Sequence, residues 1–142
     1  MTYLLDVNVL IALIDTRHIH HHAAHNWFVQ GAHVSWATCP ITENGVVRIV
    51  GHQNYPNGSG SPLDVAAAMS CLRSTPGHTF WPDDISLFDG DRFDMPRLTT
   101  TRHLTDSYLL GLAVRQGGRF ATFDRRVSTA AVIGGDQALH II

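Results

Sequence analysis

Four acidic residues stand where the surrounding pattern is apolar. Asp6 ends the run Tyr3-Leu4-Leu5 and is followed by Val7, with Asn8 the only polar break before Ile14. Asp124 ends the run Phe120-Ala121-Thr122-Phe123. Asp106 interrupts the apolar face of a helical stretch, and Glu43 does the same shortly after Pro40. A carboxylate at the margin of a buried region is costly unless it is paired, protonated or bound to metal. The chain has no lysine to neutralise these acids. Four that converged would repel one another and raise each other's pKa. A divalent cation removes that difficulty, and hard oxygen ligation selects Mg²⁺ or Mn²⁺ over Zn²⁺. Such a site lowers the pKa of a bound water and shields a phosphate, which is the equipment for phosphodiester hydrolysis. Taken singly, each acid reads more readily as a helix cap or a surface residue. Their joint placement carries the functional reading.

The elements that would position them follow from periodicity. A buried strand is expected at about 2–6 and a helix from about 7 to 14. Ala23, Ala24, Trp27 and Phe28 fall at helical spacing within 20–30, and Gly31 closes that stretch. His33–Trp36 reads as a second strand. Pro40 suits the first turn of a helix running to Gly51. Residues 52–62 hold Asn, Gly, Ser and Pro and read as a loop. Ser61-Pro62 reads as N-cap and first helical residue of a helix over 63–74. Thr79–Trp81 is expected as a third strand, and 88–96 as loop. A helix over 101–116 is stopped by Gly117-Gly118. Strands are expected at 120–123 and 139–142. Short, continuously apolar strands alternating with helices predict an α/β fold, a single domain over 1–142 with a parallel sheet of about five strands. In such a sheet ligands bind beyond the carboxyl ends of the strands, where Asp6 and Asp124 fall.

Four segments resemble the acidic motifs of PIN-domain ribonucleases, and most closely the VapC toxins of toxin–antitoxin pairs. They are Tyr3-Leu-Leu-Asp6-Val-Asn8-Val-Leu, Thr42-Glu43-Asn-Gly, His103-Leu-Thr-Asp106-Ser-Tyr-Leu-Leu-Gly-Leu-Ala and Ala121-Thr-Phe-Asp124-Arg-Arg. The resemblance spans nearly the whole chain, in order. It implies a PIN fold and an endoribonuclease using Mg²⁺ or Mn²⁺ held by Asp6, Glu43, Asp106 and Asp124, with water attacking the phosphorus in line. It implies that Asn8 and Thr122 support those acids by hydrogen bonds. It also implies a homodimer that a small cognate antitoxin inhibits. Intact acids at all four positions count against the rival from another class, a catalytically inactive PIN-like module that only binds RNA or protein.

Composition and charge bound these readings. The chain has 142 residues, 44% of them hydrophobic and 15% charged, so it is globular rather than disordered. No apolar run reaches the roughly 18 residues that a membrane span requires. An early acid and no basic leader at the N-terminus, with only Cys39 and Cys71, fit a cytoplasmic setting. Net charge is −2, but residues 92–126 carry seven arginines against three aspartates. That segment reads either as a solvated basic surface or as one that meets a phosphate backbone. Arg125 and Arg126 are the candidates for RNA phosphate. The absence of lysine excludes a Walker P-loop, a Schiff base and a receiver-type phosphorylation site in their usual forms. A haloacid-dehalogenase-type phosphatase would need an acid where Asn8 stands.

Other features carry less. His18, His20, His21, His22 and His25 read first as a surface helix start, and second as adventitious nickel or zinc ligands. Cys39 and Cys71 read as neutral thiols. Ser107 lacks a nucleophile elbow around it. Trp27, Phe28, Trp36 and Trp81 fall on apolar faces, which favours packing over base stacking.

Overall fold

Strand β1 (Tyr3–Leu5) hands the chain to helix α1 (Val7–Ile14) with only Asp6 between them. The computed structural model, which describes residues 1–58 and 60–142, continues with α2 (His21–Val29), β2 (Trp36–Thr38), α3 (Pro40–Val50) and α4 (Pro62–Arg73). Then follow β3 (His78–Phe80), α5 (Leu104–Arg115), β4 (Arg119–Thr122), α6 (Gly135–Ala138) and β5 (Leu139–Ile141). The five strands form one parallel sheet in the order β3-β2-β1-β4-β5. The chain steps outward from β1 to β2 to β3, then returns to the other side of β1. The order therefore reverses between β1 and β4, and the crevice beyond their carboxyl ends is the natural ligand position.

Alternation along each strand builds two cores. Leu4, Ala37 and Phe120 face a cluster with Tyr108, Leu109, Leu110 and Leu112 of α5, Trp81, Phe93 and Ala138. Leu5, Trp36 and Ala121 face the opposite cluster with Val9, Leu10, Phe28, Val46, Val65 and Met69 of α1–α4. Each large side chain so buried contributes about 1.5–3 kcal/mol. Helices thus cover both faces of the sheet, as the short apolar strands require. Trp36, Trp81 and Phe28 are buried, and Trp27 is half-buried.

Two glycines matter to placement. A Cβ on Gly45 would lie 2.7 Å from Val7 Cγ2, so its absence lets α3 close on the start of α1 beside Asp6. Gly117, at φ +69°, ends α5 in the left-handed conformation. The Gly118 N–H reaches Ala113 O (2.9 Å) and that of Gly117 reaches Val114 O (3.1 Å), closing the last turn.

The expected second strand is displaced: Ala32–Val34 is a 3₁₀ turn, and β2 starts at Trp36 and includes Thr38. Val34 is 69% exposed, whereas Trp36 through Cys39 are wholly buried. Thr38 is tolerated inside because its hydroxyl is bonded, which local polarity does not reveal. Likewise β3 runs over His78–Phe80, and Thr101–His103 is a 3₁₀ turn before α5. Helix α6 and the turn at Met95–Arg97 are additions to the expected pattern. Ser61 occupies the N-cap of α4 without a side-chain bond to it. Of the expected 52–62 loop, Ser59 lies outside the described residues. Among the described residues no helix is long and apolar enough to cross a membrane.

Candidate active site

Asp6 sits at the reversal point. Its N–H continues the β1–β4 ladder to Ala121 O (2.9 Å), and its residue caps α1. Oδ1 accepts the Val7 N–H (2.7 Å) and Oδ2 accepts the Thr122 hydroxyl (2.6 Å). The one Thr122 proton is thereby used. Thr122 Oγ1 can then only accept, and it does so from Asn8 Nδ2 (3.0 Å) and from the Asp124 N–H (3.0 Å). Asn8 Oδ1 takes the Phe123 N–H (3.2 Å). This lattice locks the ends of β1 and β4 together and fixes the rotamer of Asp6. Asn8 and Thr122 thus link the end of β1 to Phe123 and Asp124.

The electrostatics join three acids. Burial, with added repulsion from Asp106 and Asp124, pushes the Asp6 carboxyl up to about 6 against the opposing Thr122 and Val7 bonds. Burial and Asp124 also push Asp106 up, although His103 and Arg126 act against the rise. Asp124 is held below the usual carboxylate range by Arg126. Arg126 gives Asp124 Oδ1 both its backbone N–H (2.9 Å) and its Nε–H (3.1 Å). The end of β1, the first turn of α5 and the end of β4 therefore bring Asp6, Asp106 and Asp124 into one electrostatic neighbourhood. An open groove of about 440 Å³ lies between α3 and α5, lined by Val7 and Thr105, the chain neighbours of Asp6 and Asp106, with Ile41, Arg48 and Ile49.

Glu43 is engaged elsewhere. From the first turn of α3 its Oε1 accepts Arg73 Nε–H of α4 (3.0 Å) and the Thr38 hydroxyl (2.8 Å). With the Thr38 proton spent, His78 Nε2 donates to Thr38 Oγ1 (2.8 Å). Burial and then Arg73 hold the His78 ring below its ordinary pKa. Arg73 also lies over the Phe80 ring, 5.8 Å from its centroid. Arg73, Thr38 and His78 are partners that sequence reasoning missed. The one local signal was a threonine ending an apolar strand at the same sheet edge as Asp6.

Among the described residues no three His, Cys, Asp or Glu side chains converge closely enough to hold a metal ion in this arrangement. The donor chemistry nevertheless fits a hard divalent cation. The available groups are carboxylates, and two of them carry repulsion that a cation would relieve. Arg125 is exposed beside Asp124, while Arg126 is committed to that acid. The five histidines do not converge: the His21 and His25 rings lie 5.9 Å apart, and His21 Nδ1 is bonded to Ala12 O (2.7 Å). Ser107 is buried in the α5 core. Cys39 is buried, with its thiol pushed up by burial, and Cys71 is exposed.

No protein-family model matches the chain. Individual proteins do. It is 46% identical over 134 residues to Ribonuclease VapC39 of Mycobacterium tuberculosis, covering 94% of this chain and 96% of that one. It is 42% identical over 140 residues to Ribonuclease VapC44 of the same organism, covering 96% of each. Among solved structures, a chain of VapBC2 from Rickettsia felis, bound to a DNA fragment from their promoter, superposes with a TM-score of 0.61. That match covers 87% of this chain and 89% of the other at 11% identity, so it speaks for the fold alone. Identity at these levels over almost all of both chains leaves one conclusion: the chain belongs to the VapC ribonuclease family.

Proposed function

We propose that this protein is a metal-dependent endoribonuclease, a PIN domain over 1–142 that serves as the toxin of a toxin–antitoxin pair. In this reading it works in the cytoplasm as a homodimer and is silenced by a cognate antitoxin. The observation that carries the site is Asp6. It is a buried carboxyl at the β1–β4 reversal, held by Thr122 and Val7 and pushed up to about 6 by burial and two neighbouring acids.

Asp6, Asp106 and Asp124 would hold Mg²⁺ or Mn²⁺, with Glu43 joining them once it leaves Arg73. A bound cation of this kind would supply a water of lowered pKa and neutralise charge on the scissile phosphate. The chain's own residues supply positioning. Thr122 and Asn8 keep Asp6 and Asp124 in register, and misplacement by about 1 Å can cost on the order of a hundredfold in rate. Arg125 is free to meet an RNA phosphate. Arg126 does so only by exchanging Asp124 for it.

The test is cleavage of total cellular RNA by the purified, antitoxin-free protein, with Mg²⁺ or Mn²⁺, with EDTA, and with Asp6→Ala. Discrete fragments that require both metal and Asp6 are expected. Loss should exceed the 10–100-fold that removing a mere supporting partner of a metal ligand costs. A folded wild-type protein that cuts nothing would favour a catalytically silent binding module. An Asp6→Ala variant that cuts normally would overturn the assignment of the acids.

A further inference from the structure

Phe123 lies between two members of the acid site. Its N–H is bonded to Asn8, and Asp124 follows it in the chain. On its ring lies the imidazole of His20, with centroids 5.0 Å apart and planes 17° from parallel. His20 comes from the turn between α1 and α2. It stands at the N-cap of α2, yet its side chain makes no capping bond. Its backbone N–H goes instead to His18 Nδ1 (3.0 Å), and the His18 ring stands 5.7 Å from its own.

Folding accounts for only part of this. The Phe123 ring packs against the core beneath α1–α4. His20 is exposed on top of it, and the adjacent Ile19 is 89% exposed. The exposed His20 ring thus covers the part-buried Phe123 ring, with the half-buried His18 ring beside it, and forms an aromatic ledge at the surface. The histidines are not gathered as metal ligands, since no three converge among the described residues.

We propose that the His20–Phe123 stack is a platform for a nucleobase of single-stranded RNA flanking the cleaved bond. Exposed flat rings hold unpaired bases by stacking, and every base has a face to offer. The ledge is tied to the site by the Asn8 and Thr122 hydrogen bonds, so a base seated there places its phosphate relative to the carboxylates. Position along the chain agrees: the ring precedes Asp124, and the exposed Arg125 follows it. The inference rests on the ribonuclease reading.

The probe is a single-stranded oligoribonucleotide spanning a mapped cleavage site, with 2-aminopurine beside the cut bond. Binding is read by fluorescence on the uncleaving Asp6→Asn protein, and steady-state cleavage on the otherwise wild-type enzyme. His20→Ala is expected to weaken binding about tenfold, relieve the 2-aminopurine quenching, and raise KM with little change in kcat. His20→Tyr is expected to restore both. An active His20→Ala enzyme with unchanged KM and quenching would overturn the platform and leave the ribonuclease reading standing. So would failure of a folded His20→Tyr variant to rescue. A wild-type protein that cleaves no RNA is a different result, and it removes the ribonuclease reading together with the platform.

Discussion

Helix α1 carries a buried aspartate at each end, and the two behave in opposite ways. Asp6 caps its N-terminus and Asp15 its C-terminus, each 8% exposed. Burial pushes both carboxyls up. At Asp15 that push is outweighed by the Tyr55 hydroxyl, Asn57 Nδ2 (3.0 Å), the Arg17 N–H (3.0 Å) and nearby His18, so its pKa falls below the ordinary value. At Asp6 burial presses harder, only the Thr122 and Val7 bonds offset it, Asp106 and Asp124 add repulsion, and the pKa rises to about 6. Residue exposure alone therefore does not mark a working carboxylate. How far burial of the carboxyl is offset by donors, and the sign of its neighbours, do. Shape would mislead here: a cleft of about 190 Å³ opens beside Asp15, lined by Tyr55, Asn57 and Asp64, and none of its lining residues is Asp6, Asp106 or Asp124. Asp15 fastens the 52–58 segment to the end of α1. Asp6 holds unrelieved charge at the sheet edge.

Exchanging the two acids for neutral residues breaks this contrast most directly. Asp15→Ala leaves Tyr55 and Asn57 without their acceptor and should cost about 2–4 kcal/mol, a fall in Tm of roughly 5–10 °C, while folded protein keeps its activity. A variant as stable as wild type would show that the latch contributes nothing. Its contribution should also fade in acid. A lowered carboxylate pKa stabilises the fold above the unfolded value and loses that stabilisation as pH falls through the folded one.

Asp6→Asn should act oppositely and somewhat less. A carboxyl raised to about 6 destabilises the folded chain once it ionises, so at pH 8 the variant should gain about 1–2 kcal/mol. By pH 4, with Asp6 protonated in the fold, the two proteins should melt alike. Paired thermal melts at the two pH values check the sign, and a gain that persisted in acid would place its origin elsewhere.

The smallest effect tests the remaining acid. The Arg73–Glu43 pair is partly exposed, and such pairs hold about 0.2–1 kcal/mol. Releasing Glu43 with Arg73→Ala should therefore raise Mn²⁺ affinity by at most about fivefold, measured as the cation dependence of Tm. Unchanged affinity would leave Glu43 outside any cation set.

Much of the fold was legible because its cues are local. Tyr3–Leu5 and Phe120–Phe123 are largely apolar runs that end at acids, Pro40 opens α3, and Gly117 supplies the left-handed stop of α5. An aspartate closing a buried strand is conspicuous because an apolar setting penalises it, and Asp106 stood out within α5 for the same reason. Strand β2 was misplaced because a bonded Thr38 is indistinguishable, by local pattern, from a loop threonine.

What local pattern does not encode is partnership across the sheet. Asp6 and Asp15 flank the same apolar stretch, and nothing beside either says that one meets Tyr55 and the other Asp106. The arginines were visible as a basic segment, but only packing ties Arg126 to Asp124 and sends Arg73 from α4 to Glu43. The His20–Phe123 stack joins residues from opposite ends of the chain. Residue types and periodicity decide which groups can do chemistry and roughly which elements carry them, since burial costs and dihedral preferences act locally. Protonation and pairing depend on Coulomb and hydrogen-bond distances of a few ångströms, and those exist only once the strands are laid side by side.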